Sequence, residues 1–179
     1  MPTGSGYWDP LPIVRTARRL EVVFRSRDHS VEVPEPEQFL RATWEERNWR
    51  NIPGPFYGGE TDTCEAGPPI APRHVLADEN GQEFVYRQPR TRFEVETLLF
   101  AAWNDPFGGY ACDGDEHWTV EAIRSWWSER ARVREWAISF AANDFVAYLD
   151  GEAADHLRDY MFWLEERRQP GAGVNRPDL

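Results

Sequence analysis

The sequence predicts an α+β fold: a small antiparallel sheet from two hairpins, packed against four to five helices, with two long Gly/Pro-rich loops. Three observations predict it. Short β-branched segments flank turn residues. Apolar residues recur at helical spacing in the stretches between and after them. No strand–helix–strand alternation is present, which argues against a parallel, doubly wound sheet. At 179 residues the chain fits one compact domain over 1–169, followed by a flexible tail over 170–179.

The elements follow in order. Residues 1–12 are punctuated by Gly and Pro and read as loose. Leu20–Phe24 and Val31–Val33 flank the polar turn Ser26–Ser30 and read as a hairpin. Pro36 sits in the first turn of a helix beginning at Pro34, with acids at the positive end of its dipole. Helical spacing places Phe39, Leu40 and Trp44 on its core face. The stretch 51–72 holds five Pro, four Gly and no Arg, and is the first long loop. The segments 73–78 and 82–87 flank Glu79-Asn80-Gly81, a strong hairpin signal.

Thr91-Arg92-Phe93-Glu94 matches a capping box. Val95, Leu98, Leu99, Ala102 and Trp103 then form the stripe of an amphipathic helix, stopped at Asn104-Asp105-Pro106. A second loop from Asp105 runs into a helix capped by Thr119, with Ile123, Trp126, Trp127 and Ala131 inward. Val133, Trp136, Ala137, Phe140 and Ala141 mark its continuation, as one bent helix or two. Leu157, Met161 and Leu164 define a last helix.

Composition narrows the chemistry. The net charge is −11 and every basic residue is arginine. A chain without lysine cannot form a lysine Schiff base or a phosphate-binding loop that needs one. Its cations are fixed forks suited to carboxylates. Strong acidity disfavours nucleic acid and anionic membrane as partners and favours a basic protein surface. The longest apolar run, 98–103, is too short to span a bilayer. No signal peptide is readable, and two distant cysteines do not make a disulfide scaffold, so a cytoplasmic protein with reduced thiols is expected.

Three constellations bear on function. Cys64, His74, Cys112 and His117 would form a Cys2His2 zinc site if the loops meet, although no close cysteine pair is present. No cofactor is otherwise expected. Cys112 and His117 would also serve as nucleophile and base, with Asp113 or Asp115 orienting the imidazole. Asp105, Asp113, Asp115 and Glu116 offer oxygen ligands, but Trp118 stands where a calcium loop of the EF-hand type requires glycine.

The third constellation is the charge pattern. Between Arg92 and Arg124 there is no Arg or Lys, and 51–72 has none either. Glu60, Asp62, Asp113, Asp115 and Glu116 therefore present a negative field to a basic partner. Tyr57, Tyr110 and Trp118 are its aromatic anchors, and Phe56 and Phe107 lie in the same loops. The expected function is a compact acidic antagonist of a basic protein, of the kind an immunity protein is to a toxin. The alternative is a small enzyme of specialised metabolism with a thiol, imidazole or zinc site where the loops converge.

Overall fold

A computed structural model describes residues 6–179, and it is α+β. The small antiparallel sheet is divided into separate two-stranded sheets. The start of the loose N-terminal stretch lies outside the described residues. From Leu11 the chain is already helical. The chain groups into two units. One is Asp9–Gly114, and the other joins the residues up to Trp8 to Asp115–Leu179.

The Asp9–Gly114 unit opens with α1 (Leu11–Thr16) and the hairpin β1 (Arg19–Phe24) and β2 (Arg27–Glu32). The turn is tighter than its polar sequence implies. Arg25 and Ser26 alone form it, with φ of 51° and 61°, and Phe24 pairs Arg27. Left-handed values at both central residues match the twist of antiparallel strands. Leu20 and Val22 point inward, and Glu21 donates its outward N–H to the carboxylate of Glu96 at 2.7 Å.

The helix expected from Pro34 does not form. Pro36–Gln38 and Trp44–Glu46 are single 3-10 turns. Between them Leu40 bridges Gly109, Arg41 N–H reaches the Gly108 carbonyl at 3.1 Å and Ala42 N–H reaches Tyr110 at 3.0 Å. Backbone pairing to a distant segment outcompetes a helical period, because propensity is a weak prior. Phe39 is buried all the same, whereas Leu40 and Trp44 are half-buried.

The first long loop carries β3 (Tyr57–Gly58) and a one-turn helix α2 (Gly67–Ile70). The second hairpin, β4 (Val75–Ala77) and β5 (Glu83–Val85), forms where Glu79-Asn80-Gly81 places it. The Asp78 carboxylate accepts from Asn80 and Gln82 at 2.8 and 3.0 Å, and Gly81 takes φ +77°. Helix α3 (Arg92–Trp103) begins at Thr91, whose hydroxyl accepts from Glu94 N–H at 3.2 Å. Glu94 reaches back one residue further than in a standard box, to Arg90 N–H at 2.7 Å. Val95, Leu98, Leu99 and Ala102 are buried as the stripe requires, while Trp103 at its end is exposed. They join Leu20, Val22, Phe39, Phe56, Val75, Val85 and Tyr110 in one apolar core. Strand β6 (Tyr110–Ala111) closes the unit.

The short helix α4 (Gly114–His117) leads into the second unit. There the span 119–149 is three helices: α5 (Val120–Ser128), α6 (Arg130–Ser139) and α7 (Asn143–Asp150). The breaks fall at Glu129 and at Ala141, which has φ 53°. Ile123, Val133 and Ala137 are buried, whereas Ala131 and Phe140 face solvent. Helix α8 (Ala153–Arg168) buries Leu157, Met161 and Leu164. The last ten residues have no helix or strand but are held. Arg176 pairs Asp159 at 2.9 Å, and Arg124 donates to the Asp178 carbonyl at 2.8 Å. No described helix is long and apolar enough to cross a membrane.

Candidate functional site

The two Gly/Pro-rich excursions meet within the Asp9–Gly114 unit. Tyr57 pairs Ala111 and Gly58 pairs Tyr110 across an antiparallel ladder. Gly59 N–H extends the pairing to the Gly109 carbonyl at 2.8 Å. Glycine is required on each excursion, at Gly58 by its approach to β5 and at Gly109 by its approach to the first excursion. A Cβ on Gly58 would lie 2.1 Å from the Glu83 carbonyl oxygen, and one on Gly109 would lie 2.3 Å from that of Glu60. Asn51 organises the first excursion: its amide oxygen accepts from Gly58 and Val85 N–H at 2.9 and 2.8 Å. Gln88 does the same further along, accepting from Phe56 N–H at 3.2 Å and donating to the Phe56 carbonyl at 2.8 Å. A buried loop must pair its backbone polar groups, and these two amides do so here.

Beneath the ladder three carboxylates are buried. Asp105 accepts from Asp62 N–H at 3.0 Å, Phe107 N–H at 3.3 Å and Gly109 N–H at 2.6 Å. Glu83 accepts from Gly67 N–H at 2.8 Å and from the Tyr110 hydroxyl. Asp62 accepts from Cys64 N–H at 3.2 Å. Burial pushes the Glu83 carboxyl above the ordinary range, and the charges of Asp105 and Asp62 push the same way. Burial also raises Tyr110, reinforced by Glu83. Glu83 carries no signal in the sequence beyond being an acid on a strand, and its partners come from segments remote in the chain.

The thiol and imidazole residues are placed differently from expectation. Cys64 is exposed, and the neighbouring Asp62 charge pushes its thiol up. A nucleophilic thiol needs the opposite shift. His74 is buried, its Nδ1 is 2.9 Å from the Arg87 carbonyl, and burial lowers its pKa. Its Nε2 lies 3.9 Å from the Glu94 carboxylate, whose charge opposes that shift. Cys112 is half-buried against the apolar core of its unit, while Asp115 and His117 belong to the other unit. Among the described residues no group of His, Cys, Asp and Glu is arranged to hold a metal ion. Cys64, His74, Cys112 and His117 therefore do not make the zinc tetrahedron.

The aromatic anchors are corrected by burial. Tyr57, Tyr110 and Trp118 are 1%, 0% and 6% exposed, so they are packing residues. The bulk of Tyr57 and Tyr110 fastens the two excursions within their unit, since a large ring gains most by leaving water. Two of the acids are likewise absorbed. The Tyr57 hydroxyl donates to Asp113 at 2.6 Å, and burial raises the Tyr57 pKa. Asp115 is 5% exposed, accepts from Tyr160 at 2.6 Å and lies 3.5 Å from the Arg167 guanidinium. Asp62 is buried as well. Glu60 and Glu116 remain exposed, as does Glu65.

No family model, curated protein or solved structure matches the chain.

Proposed function

We propose that the chain is an acidic, cytosolic binding protein that neutralises a basic protein partner, in the manner of an immunity protein acting on a toxin. One observation carries this reading. Among the described residues, exposed Glu60 and Glu65 form no ion pair, and the excursion bearing them contains no arginine. Glu116 is exposed and unpaired in the same sense. With a net charge of −11, these side chains keep their field for a partner. The alternative of a thiol or zinc enzyme draws no support from a thiol whose pKa is raised and a histidine bonded to backbone.

The test is affinity capture by the full chain from its source cells at low and high salt. A basic protein retained at about 50 mM salt and released at several-fold higher salt is expected, because screening weakens exposed charge pairs. Capture of only neutral or acidic proteins, or retention indifferent to salt, would overturn the reading.

A further inference from the structure

Of the loop aromatics Phe56, Tyr57, Phe107, Tyr110 and Trp118, only Phe107 is left in solvent, at 66% exposure. It is the most exposed large hydrophobic side chain among the described residues. Its backbone is held by hydrogen bonds from both sides. Asp105 to Gly108 form a β-turn closed by Gly108 N–H to the Asp105 carbonyl at 3.1 Å, with Pro106 at the second position. The buried Asp105 carboxylate accepts from Phe107 N–H at 3.3 Å and from Gly109 N–H at 2.6 Å, so it grips the turn from inside. The Arg41 guanidinium covers the outside, with Nη2 3.4 Å from the Phe107 carbonyl. Gly108 sits at φ +64°, and a Cβ there would lie 2.7 Å from Arg41 Nε.

Each neighbour of Phe107 has a conformational reason to be what it is. Asp105 supplies the carboxylate, Pro106 sets its φ for the turn, and Gly108 takes the left-handed position. Position three of such a turn accepts almost any residue, and a polar one would cost the fold nothing. The fold therefore does not account for a phenylalanine there. Glu60, which forms no ion pair among the described residues, lies on the segment whose backbone packs against Gly109, two residues beyond Phe107. An exposed aromatic side chain on a pre-organised backbone is the arrangement of an interface anchor. Little ordering entropy remains to be lost on binding.

Building on the binding reading above, we infer that the Asp105–Gly109 turn is the docking point for the basic partner. Phe107 fills an apolar pocket on that protein, and Glu60 pairs with a cation at the pocket's rim. The charge of the chain fixes the sign of the partner, and the ring fixes the pocket.

The probe is benzoylphenylalanine in place of Phe107, or of the comparably exposed Phe93 on α3, in the full chain within its source cells. Light-induced crosslinking to one basic protein from position 107, and not from 93, is expected. That protein, purified, is then titrated against the wild type, Phe107→Ala and Glu60→Gln. Phe107→Ala should weaken binding by about tenfold or more, as truncating an anchor does. Glu60→Gln should weaken it less and flatten its salt dependence. If wild-type chain captures a basic protein that binds Phe107→Ala equally well, or crosslinks only from 93, the docking assignment falls and the binding reading stands. If no basic protein is captured by any form, both fall. Denaturation midpoints matching wild type confirm that the variants are folded.

Discussion

Glu83 shows how a single side chain can report the state of the whole loop region. Its carboxyl is 1% exposed, accepts from the Tyr110 hydroxyl and Gly67 N–H, and has Asp62 and Asp105 nearby. Ionised carboxylates are costly to bury, and burial raises this one's pKa. An acid raised in the folded state binds its proton more tightly there than when unfolded. Its contribution is fully present below the unfolded value of about 4 and is lost as pH rises through the folded value. The part of wild-type stability owed to Glu83 should therefore decline as pH rises above the ordinary carboxylate range, and Glu83→Gln should remove that component. Denaturant midpoints measured across pH for both proteins decide it. Parallel profiles would show that Glu83 titrates alike in both states.

At the scale of elements, the ladder between β3 and β6 depends on backbones packed too closely for any side chain. Gly109→Ala would bring a Cβ to 2.3 Å from the Glu60 carbonyl, and neither backbone can yield without breaking the pairing. The expected cost is about 1–3 kcal/mol, the range for overpacking a tight site. Gly171→Ala is the matched control. It meets nothing within 4 Å, although φ +81° still carries backbone strain. It should cost about 1 kcal/mol, the scale of adding a Cβ at positive φ without a clash. Equal losses in the two variants, read from thermal or denaturant unfolding, would mean that the excursions are not joined as described.

On the scale of the molecule, the Asp9–Gly114 unit is contiguous and has its own apolar core. A core built from α3, the first hairpin and the excursion aromatics gives folding a cooperative basis within that stretch. Residues 9–114 expressed alone should show one sigmoidal denaturant transition and retain protected amides at Tyr57, Gly58 and Tyr110. A gradual transition without protection would show that this core does not suffice. The unit holds Phe107, Glu60 and Glu65, so a fragment that folds should also retain salt-dependent binding to the partner. A folded fragment without that binding would place the interface elsewhere.

Several features were legible without coordinates because they depend on neighbours in the chain. The α+β class, the Asn80-Gly81 hairpin, the Thr91 start of α3 and the buried stripe of Val95, Leu98, Leu99 and Ala102 all follow from local periodicity and turn chemistry. The two glycine-rich excursions were legible as loops, but whether they meet was not, and the β3–β6 pairing decided it. What composition could not assign was which side chains face water. Tyr57, Tyr110, Asp62 and Asp115 read as surface residues in a polar loop, yet each is buried with a partner dozens of positions away or on another element. The 34–47 stretch carried a helical period and was drawn out by pairing with Gly108–Tyr110. Local patterning fixes which elements a segment favours. Long-range hydrogen bonding and burial, which only the folded chain creates, decided that Phe107 and Glu60 stay in solvent while Tyr57, Tyr110 and Asp62 do not.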